Sequence, residues 1–210
     1  AGICDYRTSL QAYQSHSEGN QIGNIVFEKK LCYNHTTYGY SAIFFAYTAE
    51  MNRYILHLRR NQMSMVIESF CPEDTFALGQ KIGELVKPGT VISLVGDLGV
   101  GKTVFTQGLA KGLRITEPVN SPTFTIVQVY DGGRLPFYHF DVYRIGDIEE
   151  MDEIGYEDYF YGEGVCLIEW ADLIRELLPE HTGRIVIEKD LEKGFDYRRI
   201  TLEGIDELEA

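Results

Sequence analysis

The segment that most constrains this chain is Thr90 to Val95 (TVISLV), joined directly to Gly96-Asp97-Leu98-Gly99-Val100-Gly101-Lys102-Thr103. The apolar run is expected for a strand buried on both faces, which requires helices on either side of a parallel sheet. The eight residues after it match GxxxxGKT, a phosphate-binding loop. Its glycines let the backbone curl so that successive N–H groups point inward at phosphate oxygens. The helix expected from Lys102 onward (Val104, Phe105, Leu109, Leu113) aims its positive end at the same place. In this pattern Lys102 reaches the β- and γ-phosphates, and the Thr103 hydroxyl is a Mg²⁺ ligand.

A second acidic ligand is expected at the end of another buried strand. Val165-Cys166-Leu167-Ile168-Glu169 fits, with Glu169 opposite Thr103 on Mg²⁺. Between the two lies Ser121-Pro122-Thr123-Phe124-Thr125, which reads either as a switch-like loop placed to sense the γ-phosphate or as a proline-fixed loop with turn-forming hydroxyls. A hairpin comes next: a strand over 126–130, a turn at Asp131-Gly132-Gly133 and a strand over 135–143. Asp141 interrupts that second, aromatic strand. A carboxylate there is either a water-orienting or metal-supporting acid, or the partner of a base such as Arg144. His139 on its own reads as a packed histidine.

Upstream, Leu78, Ile82, Leu85 and Val86 share one helical face. Asp74 or Thr75 is the expected N-cap, and Lys87-Pro88-Gly89 the stop. Downstream, Asp147 to Asp158 carries seven acids in twelve residues, which reads as a solvated helix face or as a docking surface for a basic partner. A short helix is expected up to Leu178, and strands over 184–188 and 197–202. The fold expected is therefore one three-layer α/β domain of the P-loop NTPase type. Its sheet is mainly parallel with an antiparallel hairpin portion, and helices lie on both faces.

Charge divides the chain. Residues 1–62 hold six Lys and Arg against four Asp and Glu, whereas the remaining 148 residues hold 13 against 28. All six prolines lie after Met63. The two parts therefore differ in kind, and residues 1–62 stand as an uninterpreted N-terminal extension before a P-loop domain over 63–210. Arg59-Arg60-Asn61-Gln62-Met63 back-translates as AGG AGG AAY CAR ATG, a ribosome-binding site before a start codon. The expectation is that residues 1–62 are translated upstream DNA; Arg codons of the CGN type at 59 and 60 would dismiss it. The alternative is an accessory domain or arm.

The acidic balance excludes nucleic-acid binding by bulk electrostatics. No apolar run approaches the roughly 18 residues of a membrane span. Four cysteines without a CxxC pair suggest neither a zinc site nor a disulfide framework, so a cytoplasmic setting is expected.

The ordered set GDLGVGKT, NSPTFTIVQVY, FYHFDVYR and CLIEW resembles the TsaE (YjeE) family of bacterial P-loop ATPases needed for threonylcarbamoyladenosine in tRNA. The resemblance covers Met63 to about Gly204 and none of residues 1–62. It implies a Mg²⁺-dependent ATPase, weak alone, in which Gly96 through Val104 bind the nucleotide and Gly99 to Thr103 cradle its phosphates. It implies that Thr103 and Glu169 hold Mg²⁺, and that Lys102 and Asp141 are catalytic, Asp141 being the essential acid near the γ-phosphate. Ser121 and Thr123 fall in the family's switch-like loop. Trp170 lies beside the nucleotide, and Thr75 falls in the segment near the adenine. Val100 replaces the Ala often found there, and Asn120 stands where a basic residue is common. The implied partners are the proteins TsaD and TsaB, with tRNA reached only through them and no membrane. Two other readings remain: a small-molecule P-loop kinase, for which only the separated Arg114, Arg134 and Arg144 are on hand between the loop and Glu169, and a nucleotide-sensing adaptor that does not hydrolyse. No NKxD-type guanine motif is present for a GTPase.

Overall fold

The computed structural model describes residues 12–14, 25–27 and 64–204. Strands β1 (Ala12–Gln14) and β2 (Ile25–Phe27) come from the extension. The remainder of the extension lies outside the described residues.

Strand β3 (Met65–Ser69) leads into helix α1 (Pro72–Leu85). The helix starts earlier than the sequence suggested: Cys71, extended at φ −151°, is the N-cap, and Pro72 comes directly after it. Proline suits the first helical position because its missing N–H would have had no helical partner. Asp74 lies inside the first turn and accepts the Phe70 N–H at 3.0 Å. Thr75, also inside, is buried, with its hydroxyl 2.8 Å from that of Ser69.

Strand β4 (Val91–Val95) then enters the glycine-rich loop and helix α2 (Lys102–Gly112). Strands β5 (Val127–Tyr130) and β6 (Phe137–Asp141) form the expected hairpin. Helices α3 (Glu150–Ile154) and α4 (Tyr156–Phe160) come next, and all seven acids between Asp147 and Asp158 face solvent. Strand β7 (Val165–Glu169), a 3₁₀ helix (Ala171–Leu177), β8 (Gly183–Lys189) and β9 (Arg198–Glu203) complete the described chain.

The strands form one sheet in the order β1-β2-β3-β9-β8-β4-β7-β6-β5. Its middle, β8-β4-β7-β6, is parallel. Antiparallel pairing occurs at β5–β6, as expected, and also through β8–β9–β3, so the antiparallel share exceeds a single hairpin. Residues alternate between two cores. Ile92 and Leu94 of β4, Leu167 of β7 and Phe137 of β6 pack beneath α1 and α2 with Leu78, Ile82, Phe105 and Leu109. Val91, Cys166, Ile168 and Phe140 pack on the other face with Met151, Phe160 and Ile174. Helices therefore lie on both faces, as continuous apolar strands require.

Helices α1 and α2 touch through glycines. A Cβ at Gly79 or Gly83 would strike the carbonyl of Phe105 or Leu109; at Gly108 or Gly112 it would strike that of Phe76 or Gln80. Each contact falls well inside the 3.0 Å that real Cβ atoms essentially never cross. Two GxxxG spacings thus bring backbone against backbone and set where α2, and with it Lys102, meets the sheet.

Candidate functional site

The alternation of β6 and β7 explains why the site forms. Phe137 and Leu167 face α1 and α2. Counting by twos, His139 and Asp141 fall on that same face of β6, and Glu169 on that face of β7. The strands are parallel with Asp141 opposite Glu169, so two carboxylates stand side by side at the carboxyl ends of neighbouring strands. The end of β4, one strand further along, carries the loop. Parallel α/β sheets place ligands in this position.

The loop is shaped by close approach and by sign of φ. A Cβ at Gly96 would lie 2.5 Å from the Ile187 carbonyl oxygen on β8. Gly101, the N-cap of α2, has φ 106°, a conformation that L side chains rarely adopt. Leu98 and Asp97 are exposed, while Val100 turns inward and is buried in the core. Its carbonyl oxygen accepts a 2.6 Å hydrogen bond from Arg198 Nε, so β9 braces the loop from behind. Thr103 and Val104 come after Lys102 in the first turn of α2, both half-buried.

Lys102 is buried, and its Nζ donates to the carbonyl oxygens of Gly96 (2.8 Å) and Asp97 (3.1 Å). It also lies 4.4 Å from the centroid of the Trp170 ring. Burial holds this ammonium below the ordinary lysine range, against the opposing pull of Glu169, Asp141 and Asp97. Trp170 itself has φ 62°, an uncommon conformation for a bulky residue, and its ring meets that of Tyr143 at 5.0 Å.

Asp141 is 3% exposed. Its Oδ2 accepts hydrogen bonds from Ser121 Oγ at 2.6 Å and Thr123 Oγ1 at 2.8 Å, and its Oδ1 accepts the Tyr143 N–H at 3.2 Å. The pairing with Arg144 considered from sequence is replaced by these hydroxyls; the Arg144 guanidinium lies instead over the exposed Phe124 ring at 4.4 Å. The Ser-Pro-Thr loop is therefore tied to the end of β6 by its hydroxyls. Beyond it, Ile126 holds φ 63°, which for a β-branched residue stores about 1–3 kcal/mol of strain. The Ile126 carbonyl in turn accepts the Asp141 N–H at 2.8 Å.

Glu169 is also 3% exposed, and its Oε1 lies 3.0 Å from His139 Nε2. From sequence alone His139 reads as core. Its distance of two residues from Asp141 is the available signal, because that spacing puts both on one face. Arg198 carries no such signal; its contact with Val100 spans 98 residues. Of the residues singled out from sequence, Lys102, Asp141, Glu169, Trp170, Ser121 and Thr123 converge. Thr75 stands apart, its hydroxyl engaged with Ser69.

No group of three or more His, Cys, Asp and Glu side chains able to cage a metal occurs among the described residues. Mg²⁺ at a phosphate site does not need one, since it takes one or two protein oxygens together with phosphates and water. An oxygen-only pair, the Thr103 hydroxyl and the Glu169 carboxylate, fits that hard cation.

The family model described as "Threonylcarbamoyl adenosine biosynthesis protein TsaE" matches residues 71–200. A relative in Bacillus subtilis (strain 168), a tRNA threonylcarbamoyladenosine biosynthesis protein TsaE, is 51% identical over 134 residues, covering 64% of this chain and 82% of that protein. A relative of the same description in Treponema pallidum (strain Nichols) is 47% identical over 113 residues, covering 54% of this chain and 83% of its own length. The crystal structure of Bacillus subtilis YdiB is similar at a TM-score of 0.57 and 45% identity, over 66% of this chain and 84% of that one.

Proposed function

The chain belongs to the TsaE family of tRNA threonylcarbamoyladenosine biosynthesis proteins, and we propose that within this pathway it binds ATP with Mg²⁺ and hydrolyses it. The observation that carries the reading is the meeting of Lys102, Asp141 and Glu169 around the glycine-rich loop at the ends of β4, β6 and β7. Backbone N–H groups from Gly96 to Val104 cradle the phosphates, and Lys102 leaves its loop carbonyls for phosphate oxygens. The Thr103 hydroxyl and Glu169 hold Mg²⁺, which when bound neutralises charge on the β- and γ-phosphates. Asp141 Oδ1 accepts one backbone N–H and retains a lone pair for water, so Asp141 orients the attacking water while Ser121 and Thr123 hold its other oxygen.

ATP turnover serves a complex of TsaD and TsaB and does not itself transfer the threonylcarbamoyl group. The acidic surface favours a protein partner, with tRNA held by the partners. A cytoplasmic location goes with that role; among the described residues no helix is long and apolar enough to cross a membrane. We read 63–210 as the working domain, and the family match falls wholly within it.

The test is ATP hydrolysis by this chain with and without purified TsaB and TsaD. Turnover should rise with both present, Lys102→Ala should lose nucleotide binding, and Asp141→Asn should keep binding while losing turnover. Equal rates with and without the partners would reject the partner assignment. Undetectable turnover in both settings would leave a nucleotide-sensing adaptor, and phosphorylation of an added metabolite would revive a kinase.

A further inference from the structure

We infer that His139 is a positioning residue for Glu169: its Nε2–H fixes the carboxylate in the orientation that receives Mg²⁺. This inference rests on the proposal that Glu169 is a metal-holding group.

His139 is fully buried on β6, one pleat below the pair formed by Asp141 and Glu169. Its own neighbour across the strands is Leu167, so the ring approaches Glu169 diagonally from inside the sheet. Nε2 lies 3.0 Å from Glu169 Oε1. A carboxylate oxygen only accepts, so Nε2 must supply the hydrogen. Nδ1 is buried and has no hydrogen-bond partner among the described residues. A hydrogen placed on Nδ1 would be a buried donor without an acceptor, and the network therefore assigns the ring hydrogen to Nε2.

The ring is also held in plane. Phe137, the next residue down the same face, stacks on it with centroids 6.0 Å apart and an interplanar angle of 14°. Tyr130 of β5 stacks on Phe137 in turn at 5.7 Å. Three rings thus form a row, Tyr130 beside Phe137 and Phe137 below His139, that ends in a single hydrogen bond. That bond occupies Oε1 from the core side and leaves the other lone pairs of Glu169 for a metal beside Lys102. A histidine that only filled space would not need its one polar contact to fall on the carboxylate of the site. Groups that orient a metal-holding side chain change metal affinity about 10- to 100-fold when removed.

The experiment measures nucleotide binding by the full chain through the fluorescence of Trp170, its single tryptophan. ADP or a non-hydrolysable ATP analogue is titrated in EDTA and then at increasing Mg²⁺. Two variants of similar polarity separate position from packing. His139→Gln can bring an amide N–H to the place of Nε2, whereas His139→Asn brings it nearer the unpartnered Nδ1. The expected result is that Asn raises the Mg²⁺ concentration needed for half-maximal enhancement at least tenfold, that Gln restores most of the loss, and that affinity in EDTA stays within about twofold for both. Equal behaviour of Gln and Asn, or an unchanged Mg²⁺ requirement in Asn, overturns the inference. Glu169→Gln is run alongside. If it loses Mg²⁺ enhancement while His139→Asn does not, only the role of His139 fails. If it keeps the enhancement, the metal role of Glu169 fails, and the inference with it.

Discussion

Substituting Gly108 by alanine offers a direct test of how the nucleotide loop is held in place. In an exposed helix the change would stabilise by about 1 kcal/mol, since alanine restricts the unfolded chain and glycine does not. Here the new Cβ meets the Phe76 carbonyl oxygen of α1 well inside 3.0 Å, where ordinary van der Waals contact begins near 3.4 Å. The obstacle is backbone, so no side chain can swing aside. The helices must part by on the order of 1 Å, which opens the close-packed layer beneath them, where Phe105 and Leu109 are fully buried. Overpacking of this kind costs about 3 kcal/mol at the upper end of its usual range. The net expectation is a loss of about 2 kcal/mol, or a Tm lower by about 4–8 °C for a chain of this size. Adding Gly79→Ala should cost less than it does alone, because one separation of the helices relieves both clashes. Urea denaturation with a thermal melt measures both quantities. Nucleotide affinity should fall as well, since α2 begins at Lys102. A single variant as stable as the parent, or strictly additive losses in the double variant, would refute the reasoning.

Arg198→Lys keeps the charge but loses the planar donor to the Val100 carbonyl; stability should fall by about 1.5 kcal/mol and nucleotide binding weaken, read by denaturation and titration. Ser121→Ala with Thr123→Val removes both hydroxyl donors from buried Asp141, and ATP turnover should drop at least tenfold with nucleotide affinity little changed. Glu68 joins β3 to the segment before β9 through Lys193 and Tyr197. Burial pushes its pKa up, but hydrogen bonds from Lys193 and Tyr197 and the charges of Lys193 and Arg199 outweigh that and leave it lowered. The hydrogen bonds to Glu68 and Tyr197 raise the pKa of Lys193. Stability from Glu68 is therefore present above the ordinary carboxylate range and lost as pH falls through the lowered value; that from Lys193 is present below the ordinary lysine range and lost as pH rises through the raised one. Melting curves of the parent and of Glu68→Gln should differ most near neutrality and converge as pH falls through that lowered value.

The features legible in the sequence are local or periodic. The loop is contiguous, TVISLV and VCLIE announce buried parallel strands, and the hairpin is bracketed by its turn. The start of α1 is misjudged because Asp74 is a strong capping type, yet Pro72 fits only at the first turn and moves the cap to Cys71. The helix–helix contact is written as GxxxG twice, but spacing alone does not say which face meets which. His139 and Arg198 depend on register and strand order, which fix contacts between residues 30 and 98 positions apart. For Asp141, sequence supplies both alternatives, and only the fold distinguishes hydroxyl donors from Arg144.

The balance of charge in the site yields a prediction of opposite signs. One buried ammonium, Lys102, faces the carboxylates of Asp141 and Glu169, each 3% exposed, and that of Asp97. A triphosphate adds several negative charges to this group. At an effective dielectric of about 20 and a separation of about 6 Å, each pair of like charges costs about 3 kcal/mol before screening. In EDTA, Asp141→Asn and Glu169→Gln should therefore both strengthen ATP binding, by several-fold or more. With Mg²⁺ present the two should part. Asp141→Asn keeps a metal-supported complex and only loses turnover, whereas Glu169→Gln loses a ligand and binds more weakly than the parent. Isothermal titration of both variants in the two buffers decides the matter. If Glu169→Gln weakens binding equally with and without Mg²⁺, its carboxylate contributes to architecture and not to metal. If neither variant gains affinity in EDTA, the repulsion argued from burial is screened, and the closeness of the two carboxylates would not set the metal requirement of the site.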